Sequence, residues 1–183
     1  RIFYDQSGGG VTISGGEPMG QPEFLEAFLI LCKEHGLSTV LDTSGFCEYD
    51  SIAGVADLVD CFYYDLKLAN PERHSEVTGV SNQPILRNLK KLDRAGAGIV
   101  PRFALIPGFT DSDENIMAIA GIISGLDNTS RVGIIPYNRM CRDKSARFGL
   151  EDRMKDMPEN NEGSLARARR LFEDHGLIAE SED

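Results

Sequence analysis

The sequence predicts an α/β protein built on a parallel sheet, and three observations carry that expectation. Short apolar runs recur at roughly 25- to 40-residue intervals, each followed by a helical pattern, as βαβ units require. Glycines mark several of the joints: Gly36, Gly96, Gly98 and Gly176 each follow a helical stretch. No repeat, low-complexity stretch or linker interrupts the alternation, so residues 1–183 are expected to form one domain.

The first strand is Val11-Thr12-Ile13-Ser14, running into Gly15-Gly16-Glu17-Pro18. A helix begins at Gln21-Pro22-Glu23, where proline suits the first helical position and Glu23 and Glu26 suit the positive end of the dipole. Phe24, Leu25, Phe28, Leu29 and Cys32 recur on it at helical spacing. Leu37 to Leu41 is the second strand, ending at Asp42-Thr43-Ser44-Gly45, and Asp50 is expected to cap a helix carrying Ile52, Val55 and Leu58.

Cys61 to Tyr64 is the third strand, ending at Asp65-Leu66-Lys67. A short helix starts at Asn70-Pro71, and a longer one from Pro84 to Ala95 buries Ile85, Leu86, Leu89 and Leu92. A fourth strand around Arg102 to Ile106 ends at Pro107-Gly108. The helix from Asp113 to Leu126 turns Ile116, Ile119, Ala120 and Ile123 to one face. Val132 to Ile135 is the fifth strand, ending at Pro136-Tyr137-Asn138. A long polar loop covering Met140 to Asn161 and a last helix from Ser164 to His175 complete the pattern.

Composition narrows the function. The net charge of −10, spread along the chain, argues against nucleic-acid or anionic-membrane partners. No apolar run approaches the ~20 residues a membrane span needs, and no signal-peptide pattern is seen. The four cysteines, Cys32, Cys47, Cys61 and Cys141, are too far apart for zinc or iron–sulfur spacing. Cys32 and Cys61 read as small core hydrophobes, and a reducing cytoplasm is the expected location.

In β/α barrels and open α/β sheets, chemistry collects at the carboxyl ends of the strands. Here those ends carry Glu17, Asp42, Asp65, Lys67 and Asn138, so several polar groups are expected to share one face. Glycines after a strand let a ligand approach bare carbonyls, and Glu17 adds negative charge, so this turn suits an ammonium. A phosphate loop has the opposite build. The turn read alone is equally a tight strand-to-helix connection. Asp65 and Lys67 lie two apart in an extended segment and point the same way. They read as a charged pair in a barrel mouth or as a salt-bridged strand end. Arg102 reads as an inward or a snorkelling side chain. His35 and His175 precede helix-stop glycines and suit the helix dipole, whereas His74 lies on a polar helix and is a candidate contact for a partner peptide.

The run Ser7-Gly8-Gly9-Gly10-Val11-Thr12-Ile13-Ser14-Gly15-Gly16-Glu17-Pro18 resembles the glycyl-radical-enzyme activating enzymes, the radical S-adenosylmethionine (SAM) group that includes pyruvate formate-lyase activating enzyme. The resemblance continues through Asp42-Thr43-Ser44-Gly45-Phe46, Asp65-Leu66-Lys67, Val77 to Asn82, Arg102, Leu105 to Asp111 and Ile135-Pro136-Tyr137. It implies a partial (β/α)6 barrel with about five of its parallel strands here. It also implies that Gly15, Gly16 and Glu17 receive the SAM ammonium and that Asp65, Leu66 and Lys67 contact SAM, with Lys67 near its carboxylate. By the same resemblance Asp42, Thr43 and Asp65 hold a monovalent cation, Arg102 faces the substrate, and Asn138 stands where the family often has a histidine beside the adenosine.

The implied activity is reductive cleavage of SAM at a [4Fe–4S] cluster, with the 5′-deoxyadenosyl radical taking hydrogen from a glycine of a partner glycyl radical enzyme. A flavodoxin or ferredoxin would supply the electron. The family's Cys-x3-Cys-x2-Cys cluster loop is not in this sequence, and Arg1 stands where the family's second strand is about to start. The resemblance therefore implies a parent protein whose first βα unit lies outside these residues, and a segment that is inactive alone. Two other readings stay open: a radical SAM enzyme acting on a small molecule or another protein, and an ordinary barrel isomerase or lyase with Lys67 and Asp65 as base and acid. A non-catalytic binding module would describe the segment rather than its parent.

Overall fold

The computed structural model describes residues 9–137 and 157–182. Six strands form one sheet in the order β1 to β6: Gly10–Ile13, Ser38–Thr43, Cys61–Leu66, Ile99–Leu105, Arg131–Pro136 and Ile178–Ser181. Every neighbouring pair is parallel. Between them run α1 (Pro22–Glu34), α2 (Tyr49–Ala56), α3 (Pro71–Thr78), α4 (Gln83–Arg94), α5 (Asp113–Ser124) and α6 (Glu162–Glu173). The strand order never reverses. Parallel crossovers of one hand then carry every helix to the same face of the sheet. Among the described residues this is the wall of an unclosed β/α barrel, with β1 and β6 as its edges.

Burial follows from that asymmetry. On β3, Phe62, Tyr64 and Leu66 are buried while Cys61, Tyr63 and Asp65 are half-buried. On β4, Ile99, Phe103 and Leu105 face the core while Val100, Arg102 and Ala104 take the other side. The helices close over the apolar face: Leu25, Leu29, Ile52, Leu89, Ile116 and Phe172 are fully or almost fully buried, and Phe172 meets Phe103 edge-on at 5.4 Å. The opposite, concave face carries Asp42, Asp65 and Arg102 among the apolar side chains of Val40, Val100 and Ala104.

Local chemistry explains the helix starts that border the concave mouth. The Asn70 side chain accepts from the Arg73 N–H at 2.8 Å, with Pro71 behind it. Ser112 caps α5 ahead of Asp113 and Glu114, and Asn161 with Ser164 forms a reciprocal box at α6. Asp50 is not a cap: Glu48 holds that position, without a side-chain bond, because the helix begins at Tyr49. Cys61 differs from its expectation too. It shares the register of Tyr63 and Asp65 and so sits half-buried on the concave side, whereas Cys32 is a core residue.

β6 is a strand that the apolar pattern does not announce. Of its four residues only Ala179 is buried, and Ile178 is half exposed, so no alternation marks it. Among the described residues, no helix is long and apolar enough to cross a membrane.

Candidate functional site

The ends of β1, β2 and β3 converge on a cavity of about 340 Å³. Gly15, Gly16, Glu17, Asp42, Thr43, Asp65 and Lys67 all line it, so the structure brings together the residues singled out at those strand ends, except Leu66. Leu66 is buried on the core side, which leaves only its backbone to face a ligand. Asn138 lies outside the described residues.

Gly15 adopts φ +127°, a conformation that a side chain opposes. A Cβ at Gly15 or Gly16 would meet no atom within 4 Å, so this backbone faces open space. The turn therefore presents main chain, not side chain, to whatever enters.

Glu17 bridges two strand ends. Its carboxylate accepts from Thr43 Oγ1 at 2.5 Å, from the Ser44 N–H at 2.9 Å, from Ser44 Oγ at 2.5 Å and from the Met19 N–H at 3.2 Å. Four donors around one ionised group form a strong, charge-assisted set. The carboxylate thus ties the β1 turn to the β2 turn while its negative charge remains on the cavity wall. Thr43 Oγ1 is committed to Glu17 and to the Gly45 N–H, and Thr43 is buried on the core side of β2.

Asp42 points to the concave face, where it accepts from Ser14 Oγ at 2.8 Å and pairs with Arg102 Nη1 at 3.2 Å. Arg102 also pairs with Glu182 Oε2 at 2.7 Å and lies over the Tyr63 ring, 4.9 Å from its centroid. It is therefore an inward side chain, not a snorkelling one. Asp65 and Lys67 meet at 3.1 Å, each about one-third exposed.

A second cavity, of about 220 Å³, shares Glu17, Ser44, Asp65 and Lys67 with the first and extends to Phe46 and His74. His74 is only 4% exposed despite its polar helix, and its Nδ1 lies 2.8 Å from the Val80 carbonyl oxygen. The position beside Asp65-Leu66-Lys67 was readable in the sequence. Its burial was not, because it depends on the turn after the helix, where the Val80 carbonyl meets Nδ1.

Cys32, Cys47 and Cys61, the cysteines among the described residues, have raised thiols. Burial, with the charges of Glu17 and Glu48, pushes the Cys47 thiol up to about 11, and burial raises Cys32 and Cys61 as well. Raised thiols stay protonated near neutrality, whereas metal sites need thiolates. Among the described residues, no three His, Cys, Asp or Glu side chains converge as a metal site. A small ligand with a positive head suits the cavity better: its lining holds three carboxylates against one ammonium.

Residues 1–120 match the family model described as the radical SAM superfamily. The chain is 36% identical over 176 residues to the trans-4-hydroxy-L-proline dehydratase activating enzyme of Clostridioides difficile, covering 94% of this chain and 58% of that protein. It is 30% identical over 178 residues to the pyruvate formate-lyase 1-activating enzyme of Escherichia coli K12, covering 96% and 72%. A crystal structure of a domain of pyruvate-formate lyase-activating enzyme from Bacteroides vulgatus superposes with a TM-score of 0.80 at 25% identity, covering 96% of this chain and 99% of that one. The chain spans little more than half the length of the first of these relatives.

Proposed function

The chain belongs to the radical SAM superfamily, among the glycyl-radical-enzyme activating enzymes, and from that premise we propose that its concave face holds the methionine end of SAM. The supporting observation is the single cavity that gathers Gly15, Gly16, Glu17, Asp42, Asp65 and Lys67. SAM has two positive groups and one negative, a net cation that suits a lining of net negative charge. The Gly15 and Gly16 backbone and the Glu17 charge receive the ammonium, and Lys67 meets the carboxylate. Asp42, Thr43 and Asp65 hold a monovalent cation beside that carboxylate. Because Thr43 Oγ1 is bonded to Glu17, Thr43 serves through its carbonyl oxygen.

The whole protein, on this reading, cleaves SAM reductively and removes hydrogen from a glycine of a partner glycyl radical enzyme in the cytoplasm, with an electron from a flavodoxin or ferredoxin. Reductive cleavage needs a [4Fe–4S] cluster, and the described residues do not fit one. The contribution of these residues is to bind and orient SAM and to turn Arg102 toward the substrate. Arg102 suits that role because Asp42, Glu182 and the Tyr63 ring hold its guanidinium across the concave face. On this reading the chain is one radical SAM domain. Family membership removes the ordinary isomerase or lyase reading.

Calorimetry with SAM tests the proposal. Lys67→Ala removes a charged partner worth ~1.5–3 kcal/mol, so affinity is expected to fall roughly 10- to 150-fold. Unchanged affinity would overturn the placement of the carboxylate.

A further inference from the structure

Lys67 stands on a segment that leaves the sheet at the end of β3 and turns inward before α3. Leu68 there is buried, so the backbone polar groups of residues 67–69 need partners from outside the sheet. Two buried asparagines supply them. Asn115, in the first turn of α5 and 8% exposed, donates from Nδ2 to the Lys67 and Thr110 carbonyls, each at 2.9 Å. Its Oδ1 accepts from the Ala69 N–H at 2.9 Å. Asn82, just ahead of α4 and 2% exposed, donates from Nδ2 to the Leu68 and Ala69 carbonyls, both at 2.8 Å.

The Asp65 ion pair does not suffice to place the Lys67 ammonium. Both partners are about one-third exposed, and pairs that wet contribute little. The lysine stem is flexible, so the position of its charge depends on where its backbone is held. Asn115 makes the contact to the Lys67 carbonyl itself and joins that residue to the loop after β4 through Thr110. The task requires two donors and one acceptor on one short side chain, which an amide has and a carboxylate lacks.

We propose that Asn115 is a positioning residue for ligand recognition: it acts through the Lys67 backbone to place the ammonium that meets the ligand's carboxylate. This rests on the reading of Lys67 given above. Asn115 is not among the residues that line the cavity of Lys67 and Glu17.

The test compares SAM with decarboxylated SAM, which lacks the carboxylate, by calorimetry on the intact protein. Asn115→Asp keeps the shape and the acceptor but loses both donors. It is expected to weaken SAM about 10-fold and to leave decarboxylated SAM unchanged. Equal losses for both ligands, or no loss, would overturn the proposal, because a merely structural residue does not discriminate between them. Lys67→Met separates the two layers of the argument. If it leaves the preference for SAM intact, the reading of the cavity fails; if it erases the preference while Asn115→Asp does not, only the Asn115 inference fails. A measurement on the unaltered protein covers a variant that does not fold. SAM, and not decarboxylated SAM, is expected to shift the Asn115 side-chain amide resonances, and identical spectra with the two ligands would overturn the proposal.

Discussion

Glu182 reaches over the sheet to Arg102, placing Oε2 2.7 Å from Nε. Its backbone N–H donates to the Ile134 carbonyl at 2.9 Å, which extends the β5–β6 pairing and fixes the start of the side chain. The path is open only because residue 133 on the intervening strand is glycine. A Cβ there would stand 2.0 Å from Glu182 Oε1. Asp42 on β2, Arg102 on β4 and Glu182 after β6 thus form one charged row across the concave face.

Gly133→Ala is expected to push the flexible Glu182 carboxylate off Arg102 and to destabilise the protein by no more than ~1 kcal/mol, the scale of a partly wet ion pair. Chemical denaturation measures it. The cost should largely disappear in a Glu182→Ala background, where nothing remains to clash. Equal costs in both backgrounds would mean that Glu182 does not lie across Gly133.

Glu17→Gln tests the bridge between the β1 and β2 turns. A neutral amide retains one acceptor oxygen and turns an N–H₂ group toward the Met19 or the Ser44 N–H, so at least that backbone bond is lost, while the neighbouring hydroxyl must reverse and accept. The expected loss is ~1–3 kcal/mol in denaturant, with faster hydrogen exchange at the Ser44 amide. A variant with unchanged stability and unchanged Ser44 protection would show that the carboxylate ties nothing together.

Cys47 predicts a pH dependence. Its folded thiol is pushed from 9.0 to about 11, first by burial and then by Glu17 and Glu48. The folded state therefore holds its proton more tightly than the unfolded chain. Stability from this group is fully present below about pH 9 and is lost as pH rises from about 9 through 11. Cys47→Ser should flatten that part of the stability profile. A wild-type profile with no slope there that depends on Cys47 would count against the burial argument.

Sequence and structure agree where the signal is local. β1 to β5 were legible because each is an apolar run with a polar end, and the candidate residues were legible because they sit at those ends in short motifs. What escaped depends on contacts between distant positions. Asn115 meets Lys67 across 48 positions, and Glu17 meets Thr43 across 26, so neither bond leaves a pattern in any short window. Glu17 read in isolation is only a negative charge at a turn. In the fold it is also the strut between two turns. β6 escaped for a different reason: an edge strand with one buried residue has no periodicity to detect.

The two sides of β1 differ from those of β3, and this sets an order of local stability. Among the described residues β1 pairs with β2 alone, through Gly10–Ile13, whereas β3 lies between β2 and β4. No residue of β1 is buried, and only Val11 and Ile13 are half-buried. On β3, Phe62 and Tyr64 are wholly buried and Leu66 nearly so. Opening β1 exposes little apolar surface and breaks one ladder; opening β3 breaks two and exposes the centre of the core. Amides of β1 should therefore exchange well before those of Phe62 to Asp65. An edge of this kind also pairs readily with a second copy, so the measurement needs a sample shown to be monomeric by sedimentation. Equal protection of the two strands in such a sample would mean that the free side of β1 is covered within the same chain, and the sheet would then not end at β1.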